Sequence, residues 1–121
     1  MAVRDVHASL RFYVDELGFQ AEQLFEDPPY ATLAHGPLRL SLAEAGSTIP
    51  DVEGVRLELG AGEKWSAALV VLEVVDARKA WQQLADAGVA NRSDPWDPPW
   101  GGCRFFVADP DGYLVEVEQL A

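Results

Sequence analysis

The chain has 121 residues, 49% of them hydrophobic, with 20 Asp and Glu against 9 Lys and Arg and a formal net charge of -11. That length predicts one domain, and so much apolar content excludes a disordered chain. The charge repels nucleic-acid phosphates and anionic lipid; it either favours a cationic ligand or simply keeps the protein soluble.

Cys103 is the single cysteine, so no disulfide forms within the chain, which fits a reducing compartment. Met1 to Tyr13 carries charges at Arg4 and Asp5 and lacks the apolar stretch of a secretory signal. No apolar run approaches ~20 residues, the length that spans a bilayer. The expectation is a soluble, cytoplasmic protein with no nucleic-acid or membrane partner.

In chain order, Ala2 and Val3 form a short first strand. Asp5 is a helix N-cap, and Val6, Leu10, Tyr13, Val14 and Leu17 recur at helical spacing, with Phe12 widening the stripe; Gly18 ends the helix. Three strands follow, at Phe19 to Glu26, Tyr30 to Ala34 and Leu38 to Ala43. Asp27-Pro28-Pro29 and His35-Gly36-Pro37 break them. Glu44 to Trp65 reads as a long connection with one short strand at Val55 to Leu59.

Ala68 to Val75 is the next strand. Asp76 caps a second helix, Ala77 to Ala87, whose stripe is Ala77, Ala80, Trp81, Leu84 and Ala85, with Gly88 after its end. A strand at Val89 to Asn91 and a Pro-rich loop at Asp94 to Pro99 precede the closing hairpin. Its strands are Cys103 to Ala108 and Tyr113 to Glu118, around the turn Asp109-Pro110-Asp111-Gly112. The last strand alternates, with Tyr113, Val115 and Val117 on one face and Leu114, Glu116 and Glu118 on the other. Glu116 is therefore either solvated surface or part of a site.

Val3 to Phe19 matches Val74 to Val89 with one gap: strand end, Asp cap, amphipathic helix, Gly, strand. Two more strands follow each copy. This is an internal β-α-β-β-β repeat. One copy alone leaves a sheet face uncovered, so the copies pack together or with another chain. Module one is expected at about 1–45, the connection at about 46–66 and module two at about 67–121, all in one α+β domain.

The repeat, the D-x-x-x-S-x-x-F-Y-x-x-x-L-G-F run at Asp5 to Phe19, and DPDGYLVEV at Asp109 to Val117 together resemble the vicinal oxygen chelate superfamily. That group includes glyoxalase I, extradiol dioxygenases, fosfomycin-modifying enzymes and bleomycin-binding resistance proteins. The resemblance implies paired modules whose eight strands curl into a ligand-holding cup, and a homodimer. Metal-dependent members place a His or Glu on four cup positions. The fourth matches Glu116. The third corresponds to Leu69, which has no lone pair. The second falls at Arg39 and Ser41, and the first before Met1. Divalent sites need about three or four protein donors, so the resemblance implies no metal and no other cofactor here.

The metal-free, bleomycin-resistance-like branch matches better, through Pro99-Trp100-Gly101 before the penultimate strand; Gly102-Cys103 departs from its tighter spacing. The implied ligand is a small organic compound, aromatic or cationic, held by stacking and cation–π contacts. The expected ligand-binding residues are Trp96, Trp100, Arg39, Ser41, Leu69, Glu73 and Glu116. Trp96 and Trp100 are ligand walls or a lid or dimer contact. Glu116 is a site carboxylate or one paired with Arg39 across the sheet; Arg104 is a further site cation or a rim residue. Trp81 is expected in the core, while Trp65 stays open. His7 and His35 are expected on the surface, and Cys103 without a chemical role, so no catalytic residue is assigned. The expected function is metal-independent binding or sequestration, similar to antibiotic resistance. The alternative is a metal-dependent glyoxalase, lyase or dioxygenase-like enzyme using Glu116. A third reading is a subunit whose cup only supports dimerisation.

Overall fold

A computed structural model describes residues 1–46, 58–59 and 68–121. The expected strand at Val55 to Leu59 falls mostly outside them, and so does Trp65. The chain divides into two compact units, Met1–Ala61 and Gly62–Ala121.

In the first unit, β1 (Ala2–Val3) lies parallel to β4 (Leu38–Glu44), and β3 (Pro29–His35) and β2 (Gln20–Glu26) follow antiparallel, giving the order β1-β4-β3-β2. The helix α1 (Val6–Arg11) starts at Asp5, whose Oδ1 accepts from Ala8 N at 3.1 Å. It does not run on as an α-helix to Leu17. Phe12–Glu16 forms a π-helical turn, closed by Leu17 N donating to Phe12 O at 3.3 Å. The apolar spacing could not reveal this, because over five residues the two helical periods turn the same side chains inward. Ser9, rather than Leu10, is fully buried beside Val6 and Tyr13. Tyr13 meets Phe12 and Phe19 edge-on, at 5.1 and 5.4 Å between centroids. Leu33, Leu42 and Ala31 complete this core.

The second unit repeats the plan. Its strands β5 (Leu69–Glu73), β6 (Cys103–Ala108) and β7 (Leu114–Gln119) are ordered β5-β7-β6, with β5 parallel and β6 antiparallel to β7. The helix α2 (Ala77–Asp86) starts at Asp76, whose Oδ1 accepts from Lys79 N at 3.0 Å. Ala77 N donates to Gln119 Oε1 at 3.0 Å, which ties the start of α2 to the end of β7. Gln119 shares its side of the sheet with Cys103, Phe105, Val107, Val115 and Val117, all buried. That apolar face packs against α2 through Ala77 and Leu84. Ala85 is exposed instead of completing the stripe, and Trp81 is only half-buried.

The expected strand at Val89 to Asn91 shrinks to one bridge, Asn91 with Val107. The Pro-rich loop makes a second bridge, Trp96 with Arg104. Pro98 has no N–H to donate, so the Trp96 bridge does not extend toward Gly102 as a ladder. Among the described residues there are therefore seven strands, rather than the eight expected. The closing turn forms where the sequence places it. Asp109 is buried, and its Oδ1 accepts from Asp111 N and Tyr113 N, both at 2.9 Å.

Candidate functional site

The face of the second sheet that points away from α2 follows from register. Cross-strand partners point the same way, so the pairs Glu73 with Glu118 and Glu118 with Arg104 form one row. Trp96 extends that row through its bridge to Arg104. The next row is Val71, Glu116 and Phe106, and the one beyond it Leu69, Leu114 and Ala108. Leu69 and Val71 are large apolar residues left exposed on this face.

Arg104 organises it. Its Nη1 donates to Glu116 Oε1 at 3.2 Å, and its guanidinium carbon lies 5.2 Å from the centre of the Trp96 ring. The Trp100 indole then meets Trp96 edge-on, 5.8 Å between centroids and 82° between planes. The Glu116 side chain is only 9% exposed and that of Arg104 37%, so the pair is partly withdrawn from water. Charge-assisted hydrogen bonding in such surroundings is stronger than at an open surface.

The backbone that presents Trp100 depends on glycine. Gly101 and Gly102 have φ of +98° and +83°, in the region other residues rarely adopt. A Cβ on Gly102 would run into the carbonyl oxygen of Gln119. Beside this corner is a cleft of about 230 Å³, bordered by Trp100, Cys103, Arg104, Glu118 and Gln119. Drug-sized ligands occupy roughly 300–1,000 Å³, so this cleft alone has room for a fragment only. Cys103 is buried at its edge. Burial pushes its thiol above the ordinary 9.0, and the Asp97 carboxylate it hydrogen-bonds adds to that shift.

Of the expected residues, Trp96, Trp100, Leu69, Glu73 and Glu116 thus belong to this one unit, the last three and Trp96 on one sheet face. Arg39 and Ser41 stand on β4 of the first unit, on the face shared with Thr32. Arg39 and Glu116 belong to different sheets rather than pairing across one, and each has its partner within its own unit. The Arg39 Nε and Nη2 donate to Glu22 at 3.2 and 3.4 Å, with side chains 70% and 37% exposed. Glu22 reaches it from the bulge between Ala21 and Gln23, which the sequence did not signal. His35 is also not simply solvated: half-buried, its ring lies tilted against that of Phe19, 5.1 Å between centroids. His7 is exposed in part and meets Glu26 at 3.0 Å. Sequence reasoning does not identify Phe106 and Glu118 as members of the site. The alternation of the last strand carries a signal for Glu118, whereas Phe106 needs the pairing register.

A divalent metal of the kind that metal-dependent members hold does not fit the donors on this face. Leu69 offers no lone pair, and Glu116 already accepts from a cation. Among the described residues, no three or more His, Cys, Asp and Glu side chains come together so as to hold a metal ion. No helix among them is long and apolar enough to cross a membrane.

Residues 1–117 match the Glyoxalase/Bleomycin resistance protein/Dioxygenase superfamily. The Bacillus subtilis (strain 168) protein YraH is 27% identical over 121 residues, 99% of this chain and 94% of YraH. The crystal structure of a glyoxalase/bleomycin resistance protein/dioxygenase from Nocardioides superposes with a TM-score of 0.78 at 24% identity, covering 99% of this chain and 79% of that one. Lactoylglutathione lyase from Agrobacterium tumefaciens gives 0.77 at 17% identity, covering 98% and 88%. At those identities the two structures speak to the fold alone. The α+β architecture, the repeated capped helices and the match across nearly the whole chain agree: this protein belongs to the glyoxalase/bleomycin resistance protein/dioxygenase superfamily.

Proposed function

We propose that the protein binds a small aromatic or cationic organic compound without a metal, and sequesters it rather than transforming it. One observation carries this reading. The face of the second sheet away from α2 sets Glu73, Glu116 and Glu118 against the guanidinium of Arg104, beside two indoles. A face with excess negative charge and aromatic edges attracts a flat cation through Coulomb and cation–π forces. The expected assembly is a cytoplasmic homodimer, and Arg39 and Ser41, on β4 of the first unit, remain expected ligand-binding residues in their own right.

The test combines two titrations. Benzyltrimethylammonium carries a ring and a permanent positive charge, so it probes both features. It should quench or shift the fluorescence of Trp96 and Trp100, and the change should vanish in the Trp96→Phe/Trp100→Phe double variant. Ni²⁺, Zn²⁺ and Mn²⁺ at low concentration should leave Tm unchanged. Stabilisation by a metal that Glu116→Gln abolishes would establish the second reading, a metal-dependent lyase or dioxygenase-like enzyme. That reading draws on the position of Glu116, which is buried in the strand after Asp109-Pro110-Asp111-Gly112.

A further inference from the structure

We infer that Arg104 holds the place of the ligand's cation, and that binding requires its guanidinium to swing from Glu116 to Glu118. The inference rests on the reading of the site as one for a cationic compound, and it adds how selectivity arises there.

Cation recognition needs an aromatic face and a carboxylate at close range. Here both exist, and both are already engaged by a cation of the chain itself. The guanidinium carbon of Arg104 stands 5.2 Å from the centre of the Trp96 ring, and Nη1 stands 3.2 Å from Glu116 Oε1. An incoming cation therefore competes with Arg104 for the same two partners. Its apparent affinity is lowered by the fraction of molecules in which Arg104 occupies them.

Displacement need not strand the guanidinium. Glu118 is the direct cross-strand partner of Arg104, on the same face one strand over. The cleft of about 230 Å³ is bordered by Arg104 and Glu118 together, so there is room on that side. The Arg104 side chain keeps 37% of its surface in solvent, against 9% for Glu116, so the cation is the movable partner and the carboxylate the fixed one. After the swing, Trp96 and Glu116 face the ligand, and Arg104 keeps an ion pair with Glu118. The face thus has two arrangements with equal numbers of ion pairs within the chain. A weakly held cation cannot select the second arrangement, while a ligand that also stacks on the indoles can. A neutral aromatic compound has nothing to offer Glu116 and leaves Arg104 in place.

The experiment titrates benzyltrimethylammonium into the wild-type protein, Arg104→Gln, Glu118→Gln and the double variant. Indole fluorescence and calorimetry read the affinity, and circular dichroism confirms folding. Arg104→Gln should bind on the order of tenfold more tightly, since the competitor is gone. Glu118→Gln should weaken binding in both backgrounds through the lost site charge, but clearly more in the wild type, where it also removes the place to which Arg104 moves; equal losses in the two backgrounds would overturn the swing. In the wild type, the Arg104 Nε–Hε resonance should shift on saturation. If the wild type binds but Arg104→Gln binds no better, or the Arg104 resonance does not move, displacement is wrong while the cation site stands. If neither wild type nor Arg104→Gln binds the probe, the site reading fails and this inference with it. Should Arg104→Gln not fold, the wild-type resonance alone decides.

Discussion

The two units share a plan and differ in what their arginines do. Each places an Asp-capped helix, after its first strand, over one face of a sheet. Each has an arginine paired to a glutamate at 3.2 Å. In the first unit the pair is Arg39 with Glu22, reached from a bulge in the edge strand β2 and open to water on both sides. In the second it is Arg104 with Glu116, where the carboxylate sits on β7, the central strand, and the cation lies over an indole. The same two residue types at the same distance are therefore different objects. An edge strand leaves its carboxylate hydrated, and such pairs contribute about 0–1 kcal/mol. A central strand withdraws its carboxylate from water, so the charge needs a partner and any competing cation is felt.

The corners that follow differ as well. The hairpin of β3 and β4 turns at Gly36, where an added Cβ meets nothing within 4 Å. The corner before β6 turns at Gly101-Gly102, pressed against the end of β7. The largest effect separating the units should therefore come from Gly102→Ala. It combines an unfavourable φ with a backbone clash and should cost roughly 3 kcal/mol or more. Gly36→Ala meets only the φ penalty and should cost about 1 kcal/mol. Urea denaturation of both variants measures the contrast, and equal losses would show that the Trp100 corner is not tightly seated.

An intermediate effect is expected from neutralising each carboxylate. Glu22→Gln should change stability by less than about 0.5 kcal/mol, and that change should disappear in high salt. Glu116→Gln should cost roughly 1–2 kcal/mol and persist in salt, a value held down because Arg104 retains solvent contact. Comparable losses for the two variants would remove the distinction between edge and central pairs.

The smallest effect concerns Cys103, at the cleft in the second unit. Its thiol is raised by burial first and by Asp97 second, so the folded protein holds that proton more tightly than the unfolded chain. The corresponding stability is fully present below the unfolded value of 9.0 and is lost as pH rises through the higher folded one. Stability should thus decline on going from pH 8 to pH 10 by an amount that Cys103→Ala removes. A decline that survives in Cys103→Ala belongs to other groups.

Much of this is legible in the amino-acid sequence. The Asp caps at Asp5 and Asp76, the glycines after each helix and the alternation of Tyr113 to Glu118 are local signals with local causes. They specify the elements, the repeat and the family resemblance. Helix caps and turns need only neighbours in sequence, so a single chain displays them. What local pattern could not supply was partnership. Register alone put Arg104 beside Glu118 and Glu116, seated Trp96 on the edge of β6 and sent Arg39 to Glu22. Charge and polarity say that a side chain seeks a partner, but pairing across strands is decided by where distant segments meet. Composition and periodicity thus determined the scaffold, and the tertiary structure decided which cation guards which carboxylate.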